Sequence, residues 1–258
     1  MSVLAVGLLA SSVVIGDTNL NVGQECKISV DHELHVSSEQ VRLIDDGHEM
    51  WRIDAQGDLY VEGVYSAQPD NIQEMLVDYK EGVERQTEAV VYVMGEALEI
   101  TSEALVSVFS EMFSADHRIV QRIEDLHDTL EVEFDSVVYQ ENGETIVRGQ
   151  ELESFGDRLG DTIEQEVEEI VSSSVGSLLV MVGRELIKGG GDMSDFEQRM
   201  ENMGADLEAR IEERTVRIEE RADQMCDEII VLNQIESELA MHIPVIANYP
   251  LFEQAQSK

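Results

Sequence analysis

Proline occurs only at positions 69, 244 and 250. Proline breaks a helix by removing an N–H and clashing with the preceding turn. Its absence between Pro69 and Pro244 therefore permits helices well beyond the usual three or four turns. Apolar residues in that stretch keep helical spacing. Leu76, Tyr79, Val83, Val90, Val93 and Ala97 follow steps of three, four and seven, and the stripe continues through Leu105, Val108 and Met112. A second helical stretch starts near Asp116 with Ile119, Ile123, Leu126 and Leu130. A third runs from Glu151 to Leu186. After the "GGG" break at 189–191, a fourth covers 194–241 along Met200, Met203, Leu207, Ile211, Ile218, Met225, Ile229, Leu232 and Leu239. At 1.5 Å per residue that last helix extends roughly 70 Å. It has to pack along another long helix, either 70–115 or 151–187. Asp70 with Gln73, and Ser194 with Glu197, have capping-box spacing. Glu213 and Arg217 form an i,i+4 pair on a solvated face. Most methionines fall on the stripes, where core packing is the simplest role. The apolar "VGSLLVMVG" at 175–183 is too short to span a bilayer. Ser172, Gly176 and Gly183 would allow close helix contact, but an ordinary buried helix is the expectation.

Ahead of the helices the apolar period changes to two. Ile28 and Val30, Leu34 and Val36, Val41 and Leu43, Trp51 and Ile53, and Leu59 and Val61 alternate with polar residues. Turn residues at Asp45–Gly47 and Asp54–Asp58 separate these runs. Residues 24–66 therefore read as an antiparallel meander of about four strands, marginal alone and in need of a cover. The helical body, 69–243, supplies it. Residues 137–147, "VVYQENGETIV", interrupt the helical spacing. Asn142-Gly143 signals a hairpin, with a helix-to-helix loop as the alternative. Residues 244–258 read as a tail. The fold class is α+β, a small meander packed on an elongated bundle.

The chain opens with "MSVLAVGLLASSVVIG", in which Val3–Ile15 carries no charge. That length fits the apolar region of a signal peptide, here 1–16, although the first basic residue is Lys27. The alternative is a buried first element in a cytoplasmic protein. An exported chain with two cysteines can oxidise both. Cys26–Cys226 is the one intramolecular pairing and would close a loop worth about 5 kcal/mol by chain-entropy reasoning. Two separate buried thiols are the alternative. No Cys-x-x-Cys is present, which argues against thioredoxin-like work.

A leader, a cysteine opening a short meander, "IDAQGDLYVEG", a long helical body, and a second cysteine followed by "IIVLNQIESELAMHIP" together resemble the YggN-like family of Gram-negative bacteria. The likeness covers about residues 24–243. It implies a periplasmic address and brings no established activity or catalytic residues.

Acids outnumber bases 55 to 17, for a formal charge of -38. Such a field repels nucleic acid and anionic lipid, and it suits either a salty medium or a cationic partner. His32 and His35 are three apart on a strand and point to opposite faces, which argues against a shared metal ion. Asp45, Asp46, Asp54 and Asp58 lack EF-hand spacing, and turn chemistry accounts for them. His117 and His127 share no close face; His48 and His242 stand alone. Phosphate loops, nucleophile elbows and dinucleotide fingerprints are all missing from the sequence, so no cofactor is implied. The expectation is a non-enzymatic periplasmic interaction or scaffold protein, with a protein partner or self-association through its helices and no stable membrane span. A chaperone-like or apolar-ligand-binding module is the second reading. A hydrolase using dispersed acidic residues is the third.

Overall fold

A computed structural model describes residues 28–112, 118–188 and 194–254. The proposed leader, Cys26, His117 and the Gly189–Gly191 break lie outside the described residues. The elements are β1 (Ile28–Ser29), β2 (Glu33–Val36), β3 (Gln40–Asp45), β4 (His48–Asp54), β5 (Leu59–Val61), β6 (Val64–Ser66), α1 (Asp70–Met112), α2 (Arg118–Val137), β7 (Val138–Glu141), β8 (Glu144–Arg148), α3 (Gly149–Lys188), α4 (Ser194–His242), α5 (Pro244–Asn248) and β9 (Glu253–Gln254). The α+β expectation holds.

The sheet is larger than the sequence suggested. Strands β2 to β6 form a five-stranded antiparallel meander. The 138–148 hairpin then adds two more strands, giving the order β6-β5-β4-β3-β2-β8-β7. Asn142 and Gly143 both take positive φ, 52° and 84°, as a two-residue hairpin turn requires. The turn chemistry of this hairpin is local. Its pairing of β8 with β2 joins segments more than a hundred residues apart.

One face of the sheet is the core. Leu34, Leu43, Trp51, Val138 and Val147 stand in one cross-strand row, with Val36, Val41, Ile53 and Leu59 beside it. Ile72, Leu76, Tyr79 and Val83 of α1 cover that face, together with Leu239 of α4 and Ile246 of α5. Trp51 and Tyr79 meet with ring centroids 6.3 Å apart. The long helix α4 chose α1 as its companion and runs antiparallel to it. At Gly82 they pack tightly, and an added Cβ would collide with the Cδ2 of Leu232. Further out, α1 packs on α2 and α2 on α3. Ile119, Ile123 and Ile170 form a small separate core there, joined by Leu105, Val106 and Phe109.

Three expectations are corrected. Gln73 does not cap α1. Its amide donates instead to Gln56 O (3.0 Å) and Asp58 Oδ1 (2.9 Å), bracing the Asp54–Asp58 turn, while Pro69 O accepts the first helical N–H groups. The supposed tail is structural as far as residue 254, with Ile246, Leu251 and Phe252 buried and β9 paired to β1. The 175–183 stretch is not an ordinary buried helix. Val175, Leu179 and Val180 are 51%, 70% and 62% exposed.

Candidate functional site

Three regions gather chemistry. The first is buried. Along α4 the core positions run Ile229, Leu232, Glu236 and Leu239, with Ile243 just past its end, so a carboxylate occupies an apolar place. Burial raises its pKa, although Tyr79 and two backbone amides oppose the shift. Glu236 Oε1 accepts from Tyr79 OH (2.5 Å) and Leu251 N (2.6 Å), and Oε2 accepts from Phe252 N (3.1 Å). Burial, with Glu236 beside it, pushes the Tyr79 hydroxyl well up. Trp51 Nε1 donates to Tyr249 O (2.9 Å) close by. The node therefore fastens the C-terminal segment onto the sheet. Sequence reading passed over Glu236, yet the signal was present as the seven-residue step from Leu232 to Leu239.

The second region is the opposite face of the sheet. Tyr65, Tyr60, Arg52, Arg42, His35, Ile146 and Tyr139 follow one another across all seven strands. Arg52 lies over the Tyr60 ring at 4.1 Å and Arg148 over Tyr139 at 4.9 Å. Arg42 bonds to Glu144 and donates to His35 Nδ1 at 2.9 Å. Arginine only donates, so Nδ1 is the acceptor, and the Nε2–H of His35 donates to Glu33 at 2.7 Å. Burial would raise the Glu144 pKa, but bonds from Gln40 and Arg42 outweigh it and hold the carboxyl below its usual value. Each cation here has its carboxylate. His32 binds Asp45 at 3.1 Å, away from His35. Asp54 Oδ1 accepts the N–H groups of Gln56 and Asp58 and so closes its own turn, while Asp58 Oδ1 accepts from Gln73. His127 bonds to Ser102 at 2.6 Å. Among the described residues, no three His, Cys, Asp or Glu side chains converge as metal ligands.

The third region is the end of α3. Arg122 reaches Glu169 and Arg158 reaches Glu133, which sets the antiparallel register of α2 and α3. In that register Arg118 stands opposite about residue 173, and the rest of α3 runs past the described part of α2. Val175, Leu179, Val182 and Leu186 form one stripe with steps of four, three and four. Gly176, Val180, Gly183 and Ile187 form the adjacent stripe with the same steps. Ile187 is 84% exposed, and Val182 and Leu186 are also exposed. Residues 171–183 carry no charge in a chain of net -38.

Two depressions elsewhere are small. One of about 160 Å³ lies between α1 and α4 beside Ile100, Leu207 and Arg214, and one of about 200 Å³ lies beside His32 and Arg148. Pockets for small molecules usually measure roughly 300–1,000 Å³. Among the described residues, no helix is long and apolar enough to cross a membrane.

Residues 26–252 match a family described as a protein of unknown function (DUF2884), and the chain belongs to that family. No curated protein and no solved structure matches it.

Proposed function

We propose that this is an exported, non-enzymatic interaction protein of the Gram-negative periplasm, in which the sheet-based head holds long helices and the overhanging end of α3 is the binding face. The observation that carries the reading is that face. Among the described residues, six aliphatic side chains lie bare there. They amount to on the order of 500 Å², near the top of what monomers ordinarily expose, and such patches mark interaction sites. In the other two regions the charged groups are paired, Arg42 with Glu144 and Glu236 with Tyr79, as groups that hold a fold together are.

The address rests on the uncharged leader and on the likeness to YggN-like proteins. An oxidising compartment goes with a Cys26–Cys226 bridge, which would tie the start of the chain to the buried side of α4, where Cys226 lies. Fractionation of the expressing cell, with thiol labelling before and after reduction, tests both. Labelling only after reduction, in the periplasmic fraction, is expected; a cytoplasmic chain with two reactive thiols overturns the address. The interaction reading is tested by cross-linking in periplasm with the native chain and the Leu179→Arg variant. Cross-linked species that disappear in the variant support it. A native chain that remains uncross-linked and monomeric ends it.

A further inference from the structure

The two stripes on the α3 overhang are related to each other. Reversing the direction of the helix about residue 181 carries Val175 onto Ile187, Leu179 onto Gly183, Val182 onto Val180 and Leu186 onto Gly176. Each large residue of the first stripe falls on a glycine or an aliphatic residue of the second. A Cβ built on Gly176 or Gly183 meets nothing within 4 Å, so both notches are open in this chain. A patch that complements itself under a two-fold rotation is the requirement for an isologous interface. Steps of four, three and four are the seam spacing of paired helices.

Charge bears on the choice of occupant. Two copies at -38 each repel, and contact is favourable only where the charge is interrupted. Residues 174–188 carry Arg184, Glu185 and Lys188 alone. In the reversed register, positions 184, 185 and 188 fall on 178, 177 and 174, none of which is a charged residue in the sequence. The acidic first half of α3 lies outside the overlap. A cationic partner helix would gain from that acidic half but would have no need of the two-fold match.

We infer that the overhang of α3 pairs antiparallel with the same segment of a second copy, Leu179 and Leu186 of each chain seating in the Gly183 and Gly176 notches of the other. This rests on the interaction reading above and names its partner. The overlap is about two heptads, or roughly 20 Å. The interface therefore falls at the low end of the size range, with a Kd on the order of 10–100 µM.

The test uses the full mature chain. Sedimentation velocity over roughly two decades around that Kd is expected to show a monomer–dimer equilibrium that Leu179→Arg abolishes without changing the unfolding midpoint. The double variant Val175→Cys/Ile187→Cys is expected to give an intermolecular 175–187 disulfide on mild oxidation, identified by peptide mass. Twelve residues of helix hold the two positions about 18 Å apart within one copy, so the bridge cannot form internally. A chain that stays monomeric throughout overturns the inference, as does a dimer indifferent to Leu179→Arg. Should the monomer still cross-link a different protein in periplasm, and lose it in Leu179→Arg, the second copy is refuted while the interaction reading stands.

Discussion

The head and the α3 overhang use the same aliphatic residues to opposite ends. In the head, Leu76, Ile53 and Leu239 are fully enclosed, because α1, α4 and α5 converge on one face of the sheet. On the overhang, Leu179 and Ile187 show the same helical regularity and lie bare, past the described part of α2. An apolar stripe therefore specifies a face to be covered, and the register of neighbouring elements decides whether the chain itself covers it. The head is built for stability. The overhang leaves its apolar side chains in solvent.

The widest gap between the two regions is expected at Trp51. Its ring is fully buried, and its Nε1 donates to Tyr249 O. Trp51→Ala should cost about 3–5 kcal/mol in denaturant unfolding. A cost below about 1 kcal/mol would mean that the head is no better packed than the arm.

Glu236 comes next. Glu236→Ala strands three donors and should cost about 3 kcal/mol. Glu236→Gln turns an NH₂ toward Phe252 N–H and should cost about 1–3 kcal/mol. The pH dependence separates the variants further. Burial raises the folded-state pKa of Glu236 above its unfolded value, so the native state binds more protons across that interval. The group's contribution is complete below the ordinary glutamate range and is lost as pH rises through the raised value. Subtracting the Glu236→Gln stability profile from that of the native chain should leave a difference that falls with rising pH in that interval. A flat difference would refute the burial argument.

At Gly82, where α1 meets α4, the Cβ of an alanine would run into Leu232, itself buried in the core. Gly82→Ala should cost about 1–3 kcal/mol despite the better helix propensity of alanine. Farther along the same pair, Arg214 reaches Glu96, Glu99 and Glu103 at 3.0, 3.1 and 2.8 Å. These carboxylates are partly solvated, and Arg214→Ala should cost only about 0.5–1 kcal/mol, less in high salt.

Local periodicity made much of the fold readable. Alternation at Leu34–Val36 and Trp51–Ile53 named the inner face of the sheet, and three-and-four steps named the faces of α1 and α4. Asn142-Gly143 announced a turn. What local pattern does not carry is pairing at a distance. Nothing near Glu144–Arg148 says that this strand lies beside β2, which is how a meander became part of a seven-stranded sheet. Glu236 broke its own stripe visibly, but its meaning depends on Leu251 and Phe252 folding back to it. The sequence alone suggested a buried helix at 175–183, because apolar composition ordinarily means burial. The register of α3 against its neighbours reversed that outcome, and no residue within the stretch encodes it.

The smallest effect is the one that tests the comparison most directly. Leu179 is 70% exposed, and leucine and arginine have nearly equal helix propensity. At concentrations where the chain is monomeric, Leu179→Arg should shift stability by less than about 0.5 kcal/mol, as surface substitutions do. The same replacement at Leu76 would bury an unpaired cation and unfold the head. If thermal unfolding instead shows Leu179→Arg losing more than about 1 kcal/mol, α3 is packed along its whole length. The distinction between a covered and an uncovered stripe then fails, and the two-fold pairing built on it fails as well.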